Sequence, residues 1–234
     1  MFKLQQFAIE QNKCAMKVCT DALIFGAMAP IQSGDSVLDI GAGTGILSLM
    51  AKQQGAAQVT AIELNRDAAS QAQDNVSKSS WAKDIEVICC DICNYKTDEF
   101  FDVVIANPPF FEDHLKNPCE QRNTARHTDT LSYHALMTSA DRLLNVAGTI
   151  YLLLPLHAKE KILESAAQLS LHLVKQIDYI TMEGGKAKLA AFEFSRDCEH
   201  EFLHESITIY RGHQQYTQQS SAVLKHYLLR FAKD

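Results

Sequence analysis

The 234-residue sequence predicts an α/β fold: a doubly wound, mostly parallel sheet of seven strands, helices on both faces and an antiparallel last strand. Three observations carry that expectation. Short β-rich apolar runs alternate with helical patterns from Ser36 to Leu154. Several of those runs stop abruptly at glycine, an acid or Asn-Pro, at the carboxyl ends of strands where open α/β sheets bind ligands. The last two runs are separated only by a short segment containing Glu183-Gly184-Gly185-Lys186, a gap short enough to make a hairpin, so the final strand runs antiparallel.

Taken in order, residues 1–12 alternate loosely through Phe2, Leu4, Phe7 and Ile9, as an edge strand or hairpin does. Cys14 to Ala29 contains a small-residue helical run with Thr20 or Asp21 as its N-cap. After the Gly34-Asp35 turn, Ser36 to Ile40 is a strand, and Ile46 to Ala51 starts a helix beyond the glycines. Gln58 to Ile62 is the next strand, ending in Glu63, followed by a helix over Asp67 to Val76 and a strand over Ile85 to Cys89. Phe101 to Ala106 is a buried strand that must stop at Asn107-Pro108-Pro109, because consecutive prolines cannot donate ladder hydrogen bonds. Leu131 to Leu144 is helical, Thr149 to Leu154 a strand and Ala158 to Leu169 a helix, and Val174 to Met182 with Leu189 to Phe194 make the hairpin. Ile207 to Tyr210 and a helix-like Ser220 to Phe231 read as appendages. Residues 1–33 are read as an N-terminal extension, and residues 34–234 as one domain.

Composition is ordinary for a globular chain, 47% hydrophobic and 21% charged with 10 Gly and 5 Pro, which argues against long disordered tails. No apolar run approaches the roughly 18 residues of a membrane span, and no basic-then-apolar start suggests a secretory signal. Seven cysteines, an odd number, suit free thiols in a reducing compartment, so the cytoplasm is the expected place. Cys90-x-x-Cys93 stands alone and the His residues lack ligand spacing, so no metal is expected. No exposed-nucleophile elbow supports a Ser-His-Asp reading. A net charge of −6 leaves nucleic-acid binding to a local cluster of Lys and Arg.

The chemistry concentrates at the strand ends. In Asp39-x-Gly41-x-Gly43-x-Gly45, glycines at a strand-to-helix turn let a ligand approach the backbone. A dinucleotide fingerprint read from Gly41 would end at Ile46, which is not glycine, and the preceding acid Asp39 would repel a pyrophosphate. It suits a ligand with an amine and a sulfonium, such as S-adenosylmethionine. Glu63, with Leu64 beside it, lies 18 residues past Gly45, where an acid accepts hydrogen bonds from ribose hydroxyls. Asp91 accepts the cofactor's adenine amine with Ile92 on the ring, or else caps its own turn.

Asn107 carries the specific chemistry. A purine amine is a poor nucleophile because its lone pair is delocalised. Hydrogen bonds from its N–H groups to the Asn107 amide oxygen and the Pro108 carbonyl would turn that lone pair toward a methyl donor, and they strengthen as positive charge develops. Asn107 also borders the cofactor, and Phe110 would stack on the extruded base.

Asp39-Ile40-Gly41-Ala42-Gly43-Thr44-Gly45 followed by Asn107-Pro108-Pro109-Phe110 resembles the Rossmann-like class I S-adenosylmethionine-dependent methyltransferases that act on amino groups. More narrowly, Gln6-Phe7-x-Ile9-x-Gln11, Cys14-Ala15-Met16-Lys17-Val18-x-Thr20-Asp21 and Ala125-Arg126-His127 resemble the bacterial tRNA(Val) adenine-N6 methyltransferase family. The resemblance implies methylation of adenosine 37, just 3′ of the anticodon, and a segment around Met16 to Asp21 that folds over the cofactor. Lys17 would then meet the methionine carboxylate or a tRNA phosphate, and Thr20 or Asp21 the cofactor's amino-acid end. Departures from the family pattern are Cys19 for Gly, Phe110 where Tyr is also common, and Ser80 before Trp81 for Pro.

The long polar stretch over residues 111–130 carries Arg122, Arg126 and His127, which could hold RNA phosphate or the target loop, or form an ordinary solvated face. Two other readings share these motifs. The same grip serves a glutamine carboxamide, hence an N5-glutamine protein methyltransferase, or the amine of another RNA or DNA base. A non-catalytic nucleotide-binding module would keep the glycine bend without needing the Asn-Pro-Pro turn.

Overall fold

A computed structural model describes residues 1–14, 16–108, 131–199 and 201–232. The alternation at the N-terminus forms a separate antiparallel pair, β1 (Phe2–Lys3) with β2 (Ala8–Ile9). The apolar runs form one sheet: β3 (Ser36–Ile40), β4 (Gln58–Glu63), β5 (Ile85–Cys89), β6 (Phe101–Ala106), β7 (Leu144–Pro155), β8 (His172–Met182), β9 (Leu189–Ser195), β10 (Leu203–Gly212) and β11 (Gln215–Tyr216). Their spatial order is β11-β10-β8-β9-β7-β6-β3-β4-β5, and β3 to β7 pair in parallel.

All seven expected strands are present, and two more join them. The supposed appendage at Ile207 to Tyr210 is the inner half of β10, which pairs in parallel with β8. Ile207 and Ile209 are buried, whereas Leu203 to Ser206 are exposed, so the pattern showed only half the strand. The antiparallel β9 lies between β7 and β8 instead of closing the sheet. Ala190, Ala191, Phe192 and Phe194 are buried to 1% or less, and a run apolar on both faces belongs inside a sheet.

Helices cover both faces. Helices α1 (Thr20–Ala27), α2 (Ile46–Gln54) and α3 (Arg66–Ser77) lie on one side, together with α6 (Gln218–Leu224) near the C-terminus, and share a core with Val37, Val103, Ile105 and Tyr151. Helices α4 (Tyr133–Leu143) and α5 (Lys159–Gln168) lie on the other, against Leu38, Ile40, Val104 and Ile150. Alternation along β3 therefore turns Asp39 toward α2. Asn65 caps α3 by accepting from the Asp67 and Ala68 amides, both at 3.0 Å, and Ser132 caps α4 through the Ala135 amide at 3.1 Å.

Two local expectations are corrected. Cys19, not Thr20 or Asp21, occupies the N-cap of α1, with no side-chain cap bond. The Thr20 hydroxyl lies 2.6 Å from the Tyr210 hydroxyl, a partner that local sequence cannot show. The C-terminal helix breaks after Leu224, because Tyr227 and Leu228 turn inward. Their backbone meets the N-terminus: the Gln5 amide donates to the Tyr227 carbonyl, and the Gln5 side chain donates to the Lys225 and Leu228 carbonyls, all at 2.8 Å.

Phe25 in α1 is wholly buried and stacks on Tyr151, with ring centroids 4.5 Å apart and planes 2° from parallel. Phe25→Ala should therefore lower unfolding free energy by about 3–5 kcal/mol, read as an earlier urea midpoint at unchanged m-value. A loss below about 1 kcal/mol would mean that α1 lies outside the cooperative core.

Candidate active site

Register brings the functional strand ends together. Ile40 of β3 pairs with Ala106 of β6 on one side and with Ile62 of β4 on the other, so Gly41, Glu63 and Asn107 leave the sheet side by side. Strand order reverses between β3 and β6, the position at which α/β sheets open a ligand crevice.

The glycine bend is held by the Gly41 and Ala42 amides, which donate to the Ile62 carbonyl at 2.8 and 3.1 Å. Gly41, Gly43 and Gly45 have φ of 75°, 55° and 77°, a region that side chains rarely adopt. At Gly45 a Cβ would also sit 3.3 Å from Ala72, so this glycine lets α3 approach closely. At Gly41 a Cβ would meet nothing within 4 Å among the described residues, leaving room there for a ligand against the backbone. Gly45 is the N-cap of α2 without a side-chain cap, so the first helical amides face the crevice.

Glu63 braces the bend. Its Oε2 accepts the Gly43 amide and its Oε1 the Asn65 amide, both at 2.8 Å. A carboxylate has about four acceptor positions, so each oxygen keeps capacity for a further donor. Asp39 is fully buried; the Ser48 hydroxyl donates to its Oδ2 at 2.6 Å, and Oδ1 has no partner among the described residues. Burial, reinforced by the Glu63 charge and opposed by Ser48, pushes the Asp39 carboxyl up to about 7. Asn107 Oδ1 is likewise buried without a partner among the described residues, and Pro108 beside it is half-buried. Buried acceptors are ordinarily satisfied, so two orphaned oxygens at neighbouring strand ends are what a donor-rich ligand requires.

Asp91 caps its own turn, accepting the Cys93 amide at 2.9 Å and the Asn94 side chain at 3.2 Å; Ile92 is buried. Leu64 and Lys17 are exposed. Thr20 is drawn toward β10, and burial raises the Asp21 carboxyl. Phe110, Arg122, Arg126 and His127 lie outside the described residues.

Sequence reasoning missed three buried polar groups. On α3, Asn75 donates to the carbonyls of Thr44 and Glu10 and accepts the Glu10 amide, all at 2.9 Å, which fastens the N-terminal segment to the glycine bend. Gln71, one turn earlier, accepts the Lys13 amide at 3.1 Å, and Gln11 accepts the Val18 amide at 2.8 Å, which holds the segment on α3 and turns it back on itself. Ser48 sets the Asp39 rotamer. The available signal was polar residues on faces otherwise apolar: Asn75 and Gln71 with Ala68 and Ala72, and Ser48 between Leu47 and Leu49.

A cationic ligand carrying hydroxyl and amine donors fits these oxygens, and the fold and site together define a class I S-adenosylmethionine-dependent methyltransferase. Residues 20–176 match the family model described as "Methyltransferase small domain". A tRNA1(Val) (adenine(37)-N6)-methyltransferase from Phocaeicola vulgatus is 40% identical over 230 residues, covering 97% of each chain. The chain belongs to the tRNA1(Val) (adenine(37)-N6)-methyltransferase family. Solved structures share the fold at low identity. A predicted O-methyltransferase from Agrobacterium tumefaciens superposes with a TM-score of 0.68 at 16% identity, over 86% of this chain and 94% of that one. A Listeria monocytogenes protein assigned to the class I S-adenosylmethionine-dependent methyltransferases gives 0.57 at 14%, over 85% of this chain and 67% of that one.

Proposed function

We propose that this chain methylates N6 of adenosine 37 in a valine tRNA, in the cytoplasm. The observation that carries the reading is the orphaned Asn107 Oδ1 at the end of β6, beside the glycine bend. S-adenosylmethionine supplies the activated methyl group. Asp39 receives the cofactor's amino end, Gly41 and Gly43 admit it to the backbone, and Gly45 frees the α2 amides. Glu63 receives ribose hydroxyls with its remaining acceptor positions, with Leu64 alongside. Asp91 and Ile92 flank the adenine, while Lys17, Thr20 and Asp21 close the site from residues 1–33, which act as a cover on the catalytic domain of residues 34–234.

Asn107 Oδ1 and the Pro108 carbonyl accept the two N6 hydrogens, localising the nitrogen lone pair and stabilising the charge that grows as the new N–C bond forms. The methyl–sulfur bond breaks as the N–C bond forms, leaving a neutral thioether; no strong base is needed beforehand, because an N6 proton becomes acidic only after transfer and is then released to water. Phe110 covers the base, and Arg122, Arg126 and His127 hold the RNA around it.

Tritiated methyl transfer to bulk tRNA and to total protein, both from a strain deleted for the gene, tests the reading. Label is expected in N6-methyladenosine of valine tRNA. Label in a protein glutamine would overturn it in favour of the carboxamide acceptor.

A further inference from the structure

With a net charge of −6, RNA affinity must come from a local cationic surface. The ends of the chain provide one. The β1 hairpin and the C-terminal turn meet through Gln5 and Leu228, which brings Lys3 and Arg230 to a single cavity of about 320 Å³. Phe2, Val18, Thr20 and Tyr216 also line it, and no acidic residue does among those described.

The cavity combines the two chemistries that hold a nucleotide. The Arg230 guanidinium lies 5.0 Å from the Tyr216 ring centre and 5.7 Å from that of Phe231, and donates to the Gln214 carbonyl at 3.3 Å, so its orientation is already set. Tyr216 in turn stands 5.0 Å from Tyr210, whose hydroxyl meets Thr20 at the start of α1. Ring faces accept a base of any identity, and cations without competing carboxylates accept its phosphate. Val18 and Thr20 join this cavity to the segment that Gln11 and Asn75 tie over the cofactor side.

We propose that this cavity is a subsite for an unpaired tRNA nucleotide other than the one methylated, its base against Phe2 and its phosphate between Lys3 and the Arg230 guanidinium that Tyr216 holds in place. The assignment rests on the tRNA reading above.

The test is steady-state methylation of valine tRNA by the full chain, with calorimetry of S-adenosylmethionine binding. In the double variant Lys3→Ala/Arg230→Ala, KM for tRNA should rise about tenfold or more, with kcat and cofactor affinity within about twofold. The plot of log affinity against log salt should become shallower by about 0.7, the value for one phosphate contact on a single strand. Lys3→Arg/Arg230→Lys should restore most of both. Tyr216→Leu should weaken tRNA binding at unchanged salt slope, Tyr216→Phe should not, and Lys78→Ala on α3 should be neutral. Parental KM and salt slope in the double variant, with tRNA still methylated by the parent, would overturn the subsite alone. A parent that methylates no tRNA would overturn the tRNA reading and the subsite with it.

Discussion

Asn107→Ala should lower kcat by about 10³-fold while leaving the affinity for S-adenosylmethionine within about threefold of the parent. The magnitude follows from the part proposed for this oxygen. A preorganised hydrogen bond aimed at developing transition-state charge is worth about 10²–10³ in kcat, and Asn107 Oδ1 meets the condition of preorganisation because it is buried without a partner among the described residues. Among the described residues no hydrogen bond to this oxygen must be broken before the substrate amine arrives. Because the same bonds are weaker to the ground-state amine, the loss should appear in kcat more than in KM. Asn107→Asp keeps acceptor oxygens at the same place and should recover part of the lost rate, which a purely structural part for the residue would not explain. Single-turnover methylation of valine tRNA with calorimetry of cofactor binding checks both. Turnover of the alanine variant at the parental rate would remove the mechanism.

The second large effect is a pH dependence lodged in Asp39. Folding lifts its carboxyl from the ordinary 3.8 to about 7, chiefly through burial. The sign follows directly: between those values the unfolded chain has released a proton that the folded protein retains, so Asp39 makes the apo protein less stable as pH rises from about 4 to about 7. A cationic ligand reverses the preference, because its charge stabilises the ionised carboxylate. Affinity for S-adenosylmethionine should therefore strengthen about 25-fold from pH 5.5 to 7.5, as the ionised fraction of a group titrating near 7 grows from about 3% to about 75%. That range stops below the usual titration of an α-amino group near 8, so the cofactor's own amine contributes little. Binding should release a proton near pH 6.5, measurable by calorimetry in two buffers of different ionisation enthalpy. Asp39→Asn should flatten the pH profile and weaken binding at pH 7.5 by about 10–100-fold, the worth of a hydrogen bond to a charged group. A parental pH profile in that variant would remove Asp39 from the contact.

Much of the site was legible because its parts are local. Strands at Ser36, Ile85 and Phe101 begin and end where the apolar runs do, and their carboxyl ends are marked by glycine, an acid or Asn-Pro, whose backbone requirements act within a few residues. Asp39, Glu63 and Asn107 could thus be assigned to strand ends before their geometry was known, and β3–β4 and β3–β6 register then sets them side by side. Asp91 was legible only as an alternative, and its carboxylate does cap its own turn.

What local pattern could not supply is partnership over distance. Ser48 orients Asp39 because alternation turns that acid toward α2, and Asn75 links Thr44 to Glu10 because α3 lies between the glycine bend and the N-terminal segment. Thr20 leaves the cap position for Tyr210, and β10 joins the sheet on the strength of two buried isoleucines. The amino-acid order alone determined which chemistry stands at the end of each strand, since turns and strand stops depend on backbone preferences of adjacent residues. Only the tertiary structure decided which oxygens remain unpartnered and that Lys3 and Arg230 share a cavity, because hydrogen-bond satisfaction and charge proximity depend on packing between segments far apart along the chain.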